Sequence, residues 1–149
     1  MSKKDIIKTS NMKEDFKIYT SEEQEEAMDH SCGTSLAGYL KDTTYTQLVS
    51  ALGKPTHPDA SGDNKTQKEW IIEFKGVIFA IYDWKTYSEE NTIMFYRNWH
   101  IGSKNTNPFR NVNYNGKSTV KVEEFIEHIK FLVHLEDTKS KLGLGNLEN

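Results

Sequence analysis

Residues 71–102 read IIEFKGVIFAIYDWKTYSEENTIMFYRNWHIG, and this stretch decides the fold. With Glu69 and Trp70 in front of it, two apolar runs, Glu69 to Phe74 and Val77 to Tyr82, are split by Lys75-Gly76, the pattern of a β-hairpin. The second run is apolar at consecutive positions, which is expected of a central strand covered on both faces. A polar excursion, Ser88 to Asn91, and the run Ile93 to Tyr96 follow. Asn98 to Ile101 then reads as a further strand end, closed by Gly102.

Upstream, Asp59 to Thr66 is Ser-, Gly-, Asp- and Asn-rich and reads as an exposed loop. Before it, Tyr45, Leu48, Val49 and Leu52 recur at helical spacing, with Asp42, Thr43 or Thr44 as candidate caps and Gly53 as a terminator. Thr34 to Leu40 is expected to be a short strand in which Gly38 marks a bulge or a close backbone approach. Residues 1–31 are read as a flexible, solvated arm, with a short helix over Glu22 to Asp29 opened by the capping-box pattern Ser21 to Gln24. Downstream, Ser103 to Lys117 is a long polar connection. Val122, Phe125, Ile126, Ile129, Leu132 and Val133 then form one stripe of an amphipathic helix. Residues 137–149 are expected to fray as a tail. The expected fold class is α+β over residues 32–136: an antiparallel sheet of about four strands, a short helix, and a C-terminal helix packed on one face.

Composition narrows the function. A hydrophobic content of 36% with a mean hydropathy of −0.72 suits a domain with solvated ends. A formal charge of −3 supplies no general basic field, so long nucleic acid is not an expected partner. The single cysteine, Cys32, excludes an internal disulfide and a Cys-cluster zinc site. The basic start, Met1 to Ile7, is followed by no apolar h-region, and no run is long enough to span a membrane. His30, His57, His100, His128 and His134 have no metal-ligand spacing, and no P-loop, dinucleotide fingerprint or nucleophile elbow occurs. No cofactor, no metal and no catalytic residue is expected, and the chain is read as a non-enzyme.

One constellation carries chemistry: Tyr82-Asp83-Trp84-Lys85 together with Arg97-Asn98-Trp99-His100. Strand alternation sends Tyr82 and Trp84 one way, Asp83 and Lys85 the other. If both clusters end neighbouring strands, aromatic rings, an ammonium and a guanidinium meet at one sheet end, a surface that stacks flat bases and neutralises phosphate. The competing account is that Trp84 and Trp99 plug the core. Asp83 is open to being a simple partner for Lys85 or Arg97.

The segments Gly33 to Leu40, Tyr45 to Pro55, Lys68 to Phe74, Ile81-Tyr82-Asp83-Trp84-Lys85 and Trp99-His100-Ile101-Gly102 resemble a family of small proteins encoded by tailed phages and actinobacterial prophages. Some members resemble phage anti-CBASS sponges, which bind cyclic dinucleotide alarm signals without cleaving them. The carry-over falls on Trp84 and Lys85 and on Trp99 and His100. Ser103 stands where a second glycine is expected, and the N-terminal arm lies outside the resemblance. The resemblance implies a phage immune-evasion protein of the host cytoplasm that sequesters a cyclic di- or oligonucleotide. On that reading Tyr82, Trp84 and Trp99 stack bases, Lys85, Arg97 and His100 contact phosphates, and Ser35, Tyr39 and Asn98 read base edges. Slow release favours deep burial, so a homo-oligomer is expected. The alternatives are a protein-binding inhibitor of a host enzyme that uses the acidic arm and exposed aromatics, and a phosphodiesterase using His100.

Overall fold

The computed structural model describes residues 15–103 and 120–143. The expected polar connection after Ser103 therefore falls mostly outside the described residues, as do positions 1–14 and 144–149. Five strands build one antiparallel sheet: β1 (Phe16–Ile18), β2 (Ser35–Leu40), β3 (Glu69–Phe74), β4 (Val77–Tyr82) and β5 (Trp99–Ser103), in the spatial order β1-β3-β4-β5-β2. The helices are α1 (Gln24–Ser31), α2 (Tyr45–Leu52), α3 (Glu89–Met94) and α4 (Val122–Lys141), with a 3-10 turn at Ser21–Glu23. The class is α+β, as expected, with one strand more.

The hairpin is where the sequence places it. Phe74 pairs with Val77, and Lys75 and Gly76 both take positive φ, 51° and 80°, the geometry of a type I′ turn that matches strand twist. β4 is central and covered on both sides. Phe79 and Ile81 face one way with Trp70, Ile72, Trp99 and Ile101, under α2 and α4. Ala80 faces the other way with Ile71, Tyr19 and Ala27 of α1. The apolar stripe of α4 supplies Phe125, whose ring lies 4.2 Å from that of Phe79 and 4° off parallel. Thr44 caps α2: its hydroxyl accepts from Gln47 N at 3.1 Å, and Gln47 Oε1 accepts from Thr44 N at 2.9 Å. Gly53 ends it at φ 84°.

Gly38 satisfies both readings of a strand glycine. The β2–β5 register shifts between Leu36 and Gly38, and a Cβ at Gly38 would lie 3.0 Å from Val122 Cγ1, so α4 rests directly on the bulge.

Four expectations are corrected. Residues 15–31, read as part of a solvated arm, are built into the domain: Phe16 pairs with Phe74 and Ile18 with Ile72, and Tyr19 is buried. The buried hydroxyl of Thr56 drives this, donating to Tyr19 O at 2.6 Å and accepting from Ile71 N at 2.9 Å. The N-terminal helix also starts differently, with Thr20 N donating to Glu23 Oε1 at 2.9 Å ahead of the 3-10 turn. The tail expected from residue 137 is helical through Lys141, and Gln47 Nε2 donates to Asp137 Oδ2 at 3.2 Å. Finally, Ser88 to Asn91 opens α3, capped by the Ser88 hydroxyl accepting from Asn91 N at 3.2 Å.

Candidate functional site: an aromatic row at one end of the sheet

The register sets out a row of side chains across four strands. Glu69 pairs with Tyr82, Tyr82 with His100, and His100 with Tyr39. Directly opposed residues share a face, so all four project from the side away from α2 and α4. An isolated bridge pairs His57 with Glu69 and extends the row past β3. The next row contains Ala80 and Gly102, both buried, and there α1 covers the sheet, with Tyr82 packed against the cluster of Ala80, Ile71, Tyr19 and Ala27. A Cβ at Gly102 would touch Tyr82 Cε1 at 3.4 Å.

His100 is the centre of the ring cluster. Its imidazole centroid lies 5.1 Å from Tyr39, 5.4 Å from Tyr82 and 6.0 Å from Trp84, and Tyr82 meets Trp84 edge-on at 6.3 Å. Burial lowers the His100 pKa below its ordinary value, so at neutral pH the ring is an uncharged stacking surface. Trp84 is 40% exposed and Tyr39 47%, so the cluster presents indole and phenol faces to solvent.

Asp83 holds this end of the sheet together. Fully buried, it accepts from Gln67 N, from Lys68 N at 2.9 Å, from Thr92 Oγ1 at 2.6 Å and from Thr86 Oγ1. It is a structural hub and no partner of Lys85 or Arg97. The expected alternation of Asp83 with Lys85 fails because the chain leaves the sheet after Tyr82. Lys85 and Tyr87 then take left-handed φ of 57° and 60°, flanking Thr86 as it turns inward. The same arrangement fixes the loop before β3. Thr66 Oγ1 donates to Asp83 O at 3.1 Å, and Lys65 Nζ lies 5.7 Å from the Trp84 ring.

Tyr39, Tyr82, Trp84 and His100 are therefore brought together. Trp99 is not: its indole is fully buried, stands edge-on to Trp70 at 5.5 Å, and donates from Nε1 to Thr43 O at 2.8 Å. The core account holds for Trp99, and solvent exposure holds for Trp84. Ser35 is corrected as well. It pairs with Ser103, which pairs with Phe79, so it belongs to the face opposite the row. Lys85, Arg97 and Asn98 are exposed beside the strand ends that carry the rings, and Lys85 and Arg97 have no ion-pair partner among the described residues. Lys41, directly after β2, is exposed at the same sheet end.

Reasoning on the sequence missed four members. Lys41 follows a strand with no local mark, Lys65 lies in a loop read only as polar, and His57 and Glu69 are joined to the row by pairing alone. Glu69 carries the largest perturbation there: burial, then the charge of Asp83, pushes its carboxyl up to about 7. His57 lies beside it, Nε2 to Oε1 3.9 Å, and burial lowers the imidazole pKa so that it is neutral at pH 7. Among the described residues no group of three or more His, Cys, Asp or Glu is placed to hold a metal ion, and no helix is long and apolar enough to cross a membrane. No protein family matches the sequence, and neither a curated protein nor a solved structure matches the chain.

Proposed function

We propose that the protein binds a cyclic di- or oligonucleotide on the aromatic cluster at one end of its sheet and acts by sequestering it, as expected of a phage protein that silences a nucleotide-signalled host defence. The observation that carries this reading is the contact of His100 with Tyr39, Tyr82 and Trp84 at a sheet end where Tyr39 and Trp84 are exposed. Aromatic faces accept any base, and each stacked base contributes about 1–3 kcal/mol. Two or more bases on a cyclic backbone gain from several rings at once, because the second contact is made within the same ligand. Lys41, Lys65, Lys85 and Arg97 rim the strand ends where the phosphates of a stacked nucleotide would lie. His100 supplies a ring in this reading and no charge. Three rings surround it, and no carboxylate bonds to it among the described residues, which is poor support for a phosphodiesterase.

Because Trp70 and Trp99 are fully buried, quenching of the indole emission on titration reports Trp84. A panel of cyclic dinucleotides and cyclic oligoadenylates at micromolar protein is expected to quench it saturably, with the ligand recovered intact by mass spectrometry. No quenching and no calorimetric heat with any member overturns the reading. β2 is an edge strand with Leu36 and Tyr39 exposed, which suits the expected second subunit, and light scattering with and without ligand tests it.

A second reading, inhibition of a host enzyme by direct contact, is favoured by one feature. Tyr87, Met94 and Phe95 are 56%, 60% and 67% exposed around α3. A stoichiometric protein partner, lost on Phe95→Ala and kept on Trp84→Ala, supports that reading over the first.

A further inference from the structure

We propose that Glu69 reads the Watson–Crick edge of a guanine stacked on Tyr82, so that the site selects guanine-containing nucleotides. The inference rests on the nucleotide-binding reading and adds the base. Glu69 stands opposite Tyr82, and Tyr82 opposite His100, on one face of adjacent strands. Strands lie about 4.8 Å apart, so the carboxyl and the imidazole flank Tyr82 at a total span of roughly 10 Å. The Tyr82 and His100 ring planes are 58° apart, so one base stacks on one of them. A purine stacked on Tyr82, the residue directly opposite Glu69, brings one edge to the carboxyl.

The chemistry of that edge decides the base. An ionised carboxylate only accepts hydrogen bonds, and it accepts two side by side. Guanine presents two adjacent donors, N1–H and the 2-amino group, whereas adenine presents one donor beside the N1 lone pair, which an ionised carboxylate repels. Glu69 has this capacity open. Its side chain accepts no hydrogen bond among the described residues, and the His57 imidazole beside it, at 3.9 Å, is neutral. The other groups facing it are the Tyr82 hydroxyl from β4, held protonated by burial, and the buried Asp83 carboxylate. No lysine or arginine forms an ion pair with it among the described residues. A half-buried carboxyl with no donor is expected to hold its proton to higher pH, and this one does, up to about 7. Two guanine donors supply what is missing and favour the ionised form. Guanine binding is therefore linked to proton release, and the preference over adenine grows as pH rises through neutrality, because the protonated carboxyl can instead donate to adenine N1.

The test is calorimetric titration of the full chain with cyclic di-GMP and with cyclic di-AMP, on either side of neutral pH, for wild type and Glu69→Gln. Cyclic di-GMP is expected to bind more tightly, by about 5- to 150-fold, the discrimination of one good bidentate contact. The ratio is expected to be larger at the higher pH and to collapse in Glu69→Gln, whose amide places a donor against the guanine donors. Cyclic di-AMP affinity should hold in that variant, which shows the platform intact. Equal wild-type affinities, or a guanine preference that survives Glu69→Gln, overturns the edge readout and leaves the aromatic platform standing. Absence of binding by both ligands overturns the platform and this inference with it.

Discussion

Thr92 Oγ1 donates to Asp83 Oδ2 at 2.6 Å, tying the helix after the Trp84 turn to the strand before it. The same carboxylate takes both backbone N–H groups of Gln67 and Lys68 and the hydroxyl of Thr86, so four donors from two loops and one helix converge on one buried anion. Asp83→Asn keeps the shape and replaces one acceptor oxygen with a donor facing other donors. Hydrogen bonds to charged groups contribute about 1.5–3 kcal/mol each, and a buried donor left without a partner costs about 1–3 kcal/mol. A loss of about 3 kcal/mol is expected, read as a lower urea midpoint at unchanged slope. Thr92→Val removes a single donor and should cost less. An Asp83→Asn midpoint within error of wild type would refute the hub.

Two tryptophans fifteen positions apart should respond oppositely. Trp99 fills the core between sheet and helices, and Trp99→Ala is expected to destabilise by about 3–5 kcal/mol. Trp84 lies on the surface over Tyr82 and His100, and Trp84→Ala should leave the melting temperature nearly unchanged. It should weaken nucleotide binding by about 1–3 kcal/mol, the loss of one stacking face. Thermal melts and the cyclic-nucleotide titration on the same preparations check both halves.

Glu69 makes folding stability depend on pH in an unusual direction. Its folded pKa, about 7, lies above the ordinary value of 4.5, so between those values the folded state binds more protons than the unfolded one. Stability therefore falls as pH rises from about 4.5 to about 7 and levels off beyond, opposite to a salt-bridged carboxylate. Part of the carboxyl reaches solvent, which holds the cost to about 1–2 kcal/mol. Glu69→Gln, which has no charge to bury, should be more stable than wild type above neutrality and equal to it near pH 4. A variant with no advantage at the higher pH would show that Glu69 ionises freely in the fold.

The hairpin, α2 and α4 were legible because each carries a local signal that burial reinforces: Lys75-Gly76 between apolar runs, Thr44 with Gln47 ahead of an apolar period, and six apolar positions on one helical stripe. The half-buried row was legible only in part. Tyr82 and Trp84 do meet, but through the turn that follows the strand and not through alternation, and His100 follows once its strand is known. Alternation within a strand does not say which parity faces the helices, and that parity buries Trp99 and exposes His100. Glu69 and His57 enter the row through pairing between segments far apart in the chain, which leaves no local pattern. β1 is three residues long, too short for a period, and its place depends on a hydroxyl nearly forty positions away. α3 has no apolar stripe, and the Ser88 cap is its only sequence mark.

That distant hydroxyl supplies the last prediction. Thr56 is fully buried and bridges two backbone groups, donating to Tyr19 O at 2.6 Å and accepting from Ile71 N at 2.9 Å. Tyr19 N also donates to Ile71 O at 3.0 Å, so the chain after β1 is stitched to β3 at one point. Thr56→Val matches the side chain in volume and removes both hydroxyl bonds, leaving the Tyr19 carbonyl and the Ile71 amide buried with fewer partners. The cost is about 1–3 kcal/mol per group left unsatisfied. The loss should be local first, because among the described residues β1 sits at the sheet edge and pairs only with β3. Amide hydrogen exchange in Thr56→Val is therefore expected to speed up at Ile71 and through Phe16–Ile18, while amides paired between β4 and β5 keep their protection. Uniform acceleration across the sheet would mean that β1 and its turn unfold only with the whole domain, and that Thr56 supports global stability with no separate role in docking the N-terminal segment.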